Sequence, residues 1–106
     1  MLSLLLLACT GAAPADTADP CADTPAVTWS SWGQGFFRTY CTSCHSVGAV
    51  DRAGAPDAVN FDTVDDVRTY EAAVRRTVLE TGTMPVGGGV PDDDAYLLDV
   101  FLRCGL

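Results

Sequence analysis

Cys41-Thr42-Ser43-Cys44-His45 places two thiols three residues apart and an imidazole directly after them. The run follows Trp29, Trp32, Phe36 and Tyr40, which recur at i, i+3, i+7 and i+11, with Phe37 widening the stripe. That is the period of an amphipathic helix. The pentapeptide therefore stands where a helix ends, and its five residues set what the rest of the chain has to surround.

This is the spacing of c-type haem attachment. Two thiols so placed can each add to one vinyl group of the same porphyrin, and the next residue then lies under the iron as its proximal ligand. Two other readings use the same residues. A thioredoxin-like redox pair belongs at the start of a helix after a strand, and no strand pattern precedes this motif. A zinc site needs four ligands; Cys21 and Cys104 could join Cys41 and Cys44, although a second closely spaced pair is missing.

The scarcity of other ligands narrows the haem reading. His45 is the only histidine, so two histidines cannot flank one iron within this chain. With Met1 in any leader, Met84 is the remaining methionine. A thioether is a soft, neutral ligand that favours ferrous iron, and a Met/His pair raises the reduction potential. Met84 sits in a Thr-Met-Pro loop between two helices, where backbone freedom can bring its sulfur to the metal. Its other possible role is a gap-filling core residue.

Outward from the motif, residues 46 to 62 carry Gly48, Gly54, Pro56 and Asn60 without a sustained period and read as a loop. Thr63 is a candidate N-cap with acids following it, and Val67, Tyr70, Val74 and Val78 keep helical spacing until Gly82. Thr83-Met84-Pro85 and Gly87-Gly88-Gly89 form a connector. Pro91 and Asp92 to Asp94 then open a last helix, faced by Leu97, Leu98, Phe101 and Leu102 and closed by Gly105. No stretch alternates strictly, so the chain is predicted to be all-α, with three main helices.

Composition bounds the function. At 106 residues there is room for one small domain, whose marginal core needs a staple, a metal or a cofactor. Fourteen acids against six bases give a net charge of −8, and every base is an arginine. Nucleic acid, which needs a basic footprint, is therefore not expected as a partner. A polybasic grip on anionic lipid is equally unsupported. Apolar residues at 48% exclude a disordered acidic tail.

The N-terminus, Met1 to Cys9, is a short leucine run ending in Leu-Leu-Ala-Cys. It resembles a bacterial lipoprotein signal, which implies cleavage after residue 8 and lipidation of Cys9. The run lacks a preceding base and is shorter than a usual signal; an ordinary secretory signal cut near Ala13 or Ala15 is the alternative. It is also too short to span a bilayer. Residues 9–26, rich in Ala, Thr, Pro and Asp, read as a flexible tether.

From about residue 30 to 104 the chain resembles the small class I monohaem c-type cytochromes. Gly33, Phe37 and Cys41, spaced by four, match that family's first helix, and Leu98, Phe101 and Leu102 match the partner face on its last. Met84-Pro85 matches its sixth-ligand loop. The resemblance implies a domain over residues 27–106, in which three main helices wrap one covalent haem c with His45 and Met84 as axial ligands. Pro56 looks like the family's loop proline, whose carbonyl accepts the proximal imidazole N–H; an ordinary turn proline is the alternative. Many members dock partners through lysines around the haem edge, and this chain has none. Its acidic surface either meets a basic patch or serves as a solvated face. Arg38, Arg52, Arg75 and Arg76 are candidates to pair a haem propionate, with surface solvation as the other reading.

With Cys9 lipidated and Cys41 and Cys44 on haem, Cys21 and Cys104 remain. An even remainder in an exported chain suggests a disulfide. In the family the first and last helices cross, which would bring these two together. The expected function is a periplasmic single-electron carrier, anchored to the membrane by its N-terminal lipid and exchanging electrons with a redox donor and acceptor. No acid–base pair or nucleophile stands beside the motif, so the chain is not read as an enzyme. The alternatives are a haem enzyme or gas sensor with an open sixth site, or a haem subunit of a larger redox complex.

Overall fold

The computed structural model describes residues 19–106; the leader, Cys9 and the tether as far as residue 18 lie outside the described residues. Among the described residues the secondary structure is helical, with no strand, in agreement with the all-α expectation.

The first helical stretch begins at Thr28, whose extended backbone and reciprocal hydrogen bonds with Ser31 form a capping box. The first turns, Trp29–Gly33, are wider than α-helical: the Thr28 carbonyl receives both Trp32 N–H and Gly33 N–H at 3.0 Å. They run directly into helix α1 (Gln34–Tyr40). The second stretch starts at Thr63, the predicted cap, which exchanges hydrogen bonds with Asp66. It comprises α2 (Val64–Thr69), α3 (Glu71–Val74) and wider turns over Arg75–Glu80. The spacing predicts an unbroken helix here, and the structure interrupts it at Tyr70, with φ −109° and ψ 18°. The Tyr70 hydroxyl donates to the Ala58 carbonyl at 3.0 Å, and its ring meets Phe61 edge-on at 6.0 Å. Contacts with the preceding loop override helical continuity at that residue. Gly82, at φ +65°, lies just beyond the helix end, where a left-handed residue is needed.

The last stretch is α4 (Asp92–Val100), with three aspartates in its first turn, continued by wider turns over Phe101–Gly105. Asp99 binds Arg75 at 2.8 Å and Arg103 at 3.1 Å, joining this stretch to the second.

Phe37, Val67, Leu98, Val100 and Phe101 are the fully buried side chains that form the centre of the core. The first and last stretches meet at Gly33, where an added Cβ would stand 2.9 Å from the Phe101 ring. Gly105 ends the last stretch, as expected, and also packs on the Val27 carbonyl, with which a Cβ there would collide. Cys21 and Cys104 form a disulfide, with Cα atoms 5.8 Å apart and a separation of 83 positions in sequence. No helix among the described residues is long and apolar enough to cross a membrane.

Candidate cofactor-binding site

Helix α1 delivers the motif. Cys41 N–H and Thr42 N–H both reach the Phe37 carbonyl, at 2.8 and 3.0 Å, and the chain then turns once, with His45 N–H on the Cys41 carbonyl at 2.9 Å. Cys41 and Cys44 remain free thiols because the other pair is bridged. That bridge removes the four-cysteine zinc reading, since Cys21 and Cys104 hold each other. No group of three or more His, Cys, Asp or Glu side chains arranged for a metal ion occurs among the described residues.

The setting is also wrong for a reactive thiol pair. Burial pushes the Cys41 thiol up to about 12. A redox-active cysteine needs the opposite, an electropositive surround that stabilises thiolate near neutrality. Cys41 is held as a neutral thiol against apolar walls.

Those walls form an apolar cleft of about 140 Å³. Phe36 and Tyr40 from α1, Phe61 from the loop, Tyr70, Val74 and Val78 from the second stretch, and Met84-Pro85 from the connector line it together with Cys41 and His45. A neighbouring hollow of about 310 Å³ shares Tyr40, Cys41, His45, Met84 and Pro85 and adds Cys44, Arg52 and Pro56. The structure thus brings the motif and Met84 to one place, 39 positions apart in sequence (84 − 45). Met84 is held by its backbone N–H on the Thr77 carbonyl at 3.0 Å, and it remains 38% exposed at the rim.

Two contacts orient the imidazole. His45 Nδ1 lies 2.9 Å from the Val59 carbonyl. A carbonyl can only accept, so Nδ1 carries the proton and the lone pair is on Nε2. Phe61 braces the ring edge-on at 5.5 Å, and its N–H caps the His45 carbonyl at 2.9 Å. The acceptor is therefore Val59, a correction to the expected Pro56. The Pro56 carbonyl is turned instead to Val59 N–H at 3.0 Å and to Arg52 Nη2 at 2.6 Å. The reason is the path of the loop, which closes a turn at Pro56 and offers the imidazole a carbonyl three residues later.

Arg52 fixes that path. Its five guanidinium hydrogen bonds go to the carbonyls of Ser46, Ala55, Pro56 and Val59 and to Asn60 Oδ1. Its side chain is only 19% exposed, so neither surface solvation nor a propionate partner describes it. At the loop's other end Asp62 accepts from the Ser46 hydroxyl at 2.6 Å and from Val47 N–H at 3.0 Å. These donors, the Ser46 hydroxyl foremost, hold its carboxyl below the usual range. Of the remaining arginine candidates, Arg75 is paired with Asp99, and Arg38 and Arg76 do not line the cleft. Tyr40 donates to Asp94 at 3.0 Å, tying the cleft wall to α4; partial burial and then this carboxylate raise its phenol above the ordinary value.

Sequence reasoning missed Val59 and Phe61, and it offered Arg52 only a propionate or the solvent rather than the loop carbonyls it binds. Phe61 carried a usable signal, being the lone aromatic of a polar loop just before the Thr63 cap; a backbone carbonyl such as that of Val59 leaves none. No protein-family model, no curated protein and no solved structure matches this chain.

Proposed function

We propose that this chain is a single-electron carrier of the small class I c-type cytochrome kind, with one haem c attached through Cys41 and Cys44 and ligated by His45 and Met84. The observation that carries the reading is the convergence of Cys41, His45 and Met84 on one apolar cleft, with His45 Nδ1 already tied to a carbonyl. The residues fit the group: aromatic and aliphatic walls suit a porphyrin face, and an imidazole Nε2 and a thioether are the two ligand types of electron-transfer haems. Bound there, the haem supplies a one-electron couple between ferric and ferrous iron. The chain's own part is to hold the group through two sulfurs, fix the imidazole plane through Val59 and Phe61, and shield the pocket from water with Phe36, Tyr40 and Val74.

Export to the periplasm is supported by the lipoprotein-like leader and by the Cys21–Cys104 bridge, since such bonds persist outside the reducing cytosol. Anchoring through Cys9 follows from the leader alone. Electron donor and acceptor are separate redox proteins in this reading.

The test is an absorption spectrum of chain matured in a host that attaches haem c. Pigment that survives denaturing extraction, with the red charge-transfer band of sulfur-ligated ferric haem, is the expected result; colourless matured protein refutes the reading. Met84→Ala should abolish the red band and lower the reduction potential. One observation favours a second reading, a ligand-binding haem with a displaceable sixth site: Met84 is 38% exposed. Rapid carbon monoxide binding by the unmodified ferrous protein would select it, and slow or absent binding selects the carrier.

A further inference from the structure

The Val59 carbonyl is shared. It receives the Nδ1–H of His45 at 2.9 Å and an Nη2–H of Arg52 at 3.1 Å. The other Arg52 hydrogen bonds, to Ser46 O at 2.6 Å, Asn60 Oδ1 at 2.9 Å, Pro56 O at 2.6 Å and Ala55 O at 3.3 Å, hold the guanidinium in one orientation. Asp57, 3.7 Å from Nε, is fully exposed and screens the cation poorly from the loop interior, while Asp62, at the loop's other end, also feels the guanidinium charge.

A carbonyl oxygen has two lone pairs and can serve both donors. The two do not act independently, because a charged donor draws electron density from the oxygen and makes it a weaker acceptor for the other. The N–H partner of a metal-bound imidazole in turn sets how strongly the ring donates to the metal. A weaker acceptor leaves the proton more firmly on Nδ1 and reduces donation from Nε2.

We propose that Arg52 is a positioning residue that lowers the electron donation of His45 through the shared Val59 carbonyl, and so raises the reduction potential of a haem ligated by that histidine. This rests on the haem c reading given above. It goes beyond that reading by assigning the tuning of the proximal ligand to a cationic side chain that acts on it through the Val59 carbonyl.

The experiment compares pigmented wild type with Arg52→Met, which keeps the aliphatic stem and removes every donor. Two quantities are read: the reduction potential, and the proton signal of His45 Nδ1–H in the diamagnetic ferrous state. The expected result is a lower potential together with a downfield move of the Nδ1–H signal, as Val59 becomes the imidazole's undivided acceptor. A lower potential with an unmoved signal assigns the effect to charge acting through space and overturns the proposal. Loss of the signal to solvent exchange, or no change in either quantity, overturns it too, the former by showing that Arg52 merely holds the loop. A structure of the haem-loaded wild type checks the geometry without a variant: Nη2 or Nδ1 outside hydrogen-bond reach of the Val59 oxygen overturns the proposal. Colourless wild type defeats the haem reading itself, whereas pigmented wild type with either contrary result defeats the Arg52 assignment alone.

Discussion

At the scale of single residues, the loop from Ser46 to Asp62 is organised by side chains that hydrogen-bond to backbone. Arg52 gathers four carbonyls, and Asp62 gathers the Ser46 hydroxyl and Val47 N–H. Because those donors hold the Asp62 carboxyl below the roughly 3.9 of an unfolded aspartate, its contribution to stability is complete above that pH. It is lost as the pH falls through the folded value. Unfolding by denaturant, followed from pH 6 to pH 2, should therefore show a smaller loss of stability for Asp62→Asn than for wild type below about pH 4. Parallel curves would place the acid sensitivity elsewhere, Asp99 being the next candidate, its carboxyl lowered chiefly by Arg75. Much of the site was legible at this scale because the Cys-x-x-Cys-His spacing and the lone Met84 are properties of residue type. The choice of Val59 over Pro56 was not, since a backbone acceptor is selected by loop path, and that path depends on an arginine whose contacts are all non-periodic.

Between elements, the sequence periods placed all three helical stretches because each buries one stripe. They missed the interruption at Tyr70, which is imposed by a loop residue, Ala58, twelve positions earlier. They also missed Val100, which lies off the predicted stripe and is fully buried because the last stretch is covered on a wider arc. The contact between the first and last stretches makes the sharpest prediction. A Cβ at Gly33 would stand 2.9 and 3.0 Å from atoms of the Phe101 ring and 3.2 Å from Trp29. Gly33→Ala should destabilise the fold by about 1–3 kcal/mol, as overpacking of a closed core does. The midpoint of chemical denaturation measures it. Combining the change with Phe101→Leu, which removes the clashing ring atoms, should cost less than the sum of the two single changes.

For the whole molecule, the disulfide is the long-range staple. It closes a span of 83 residues in a chain whose buried core is small. Disulfides typically contribute about 2–4 kcal/mol, and the chain-entropy limit for so long a loop is about 4.5 kcal/mol. Cys21→Ser with Cys104→Ser should lose stability of that order in denaturant while leaving any attached haem in place; an unchanged midpoint would show that the ends are held by packing alone. The bridge, together with Gly105 seated on Val27, also fixes where the N-terminal segment leaves the body. Val27 precedes the first helical stretch and Tyr40 closes it, and twelve helical residues extend roughly 18 Å. A pull exerted through residues before Cys21 is thus applied at one pole, while the mouth formed by Tyr40, Cys41 and Met84 opens most of a helix length away. Were the proposed lipid on Cys9 to hold the chain, the cleft mouth would therefore stand about a helix length from the point of attachment.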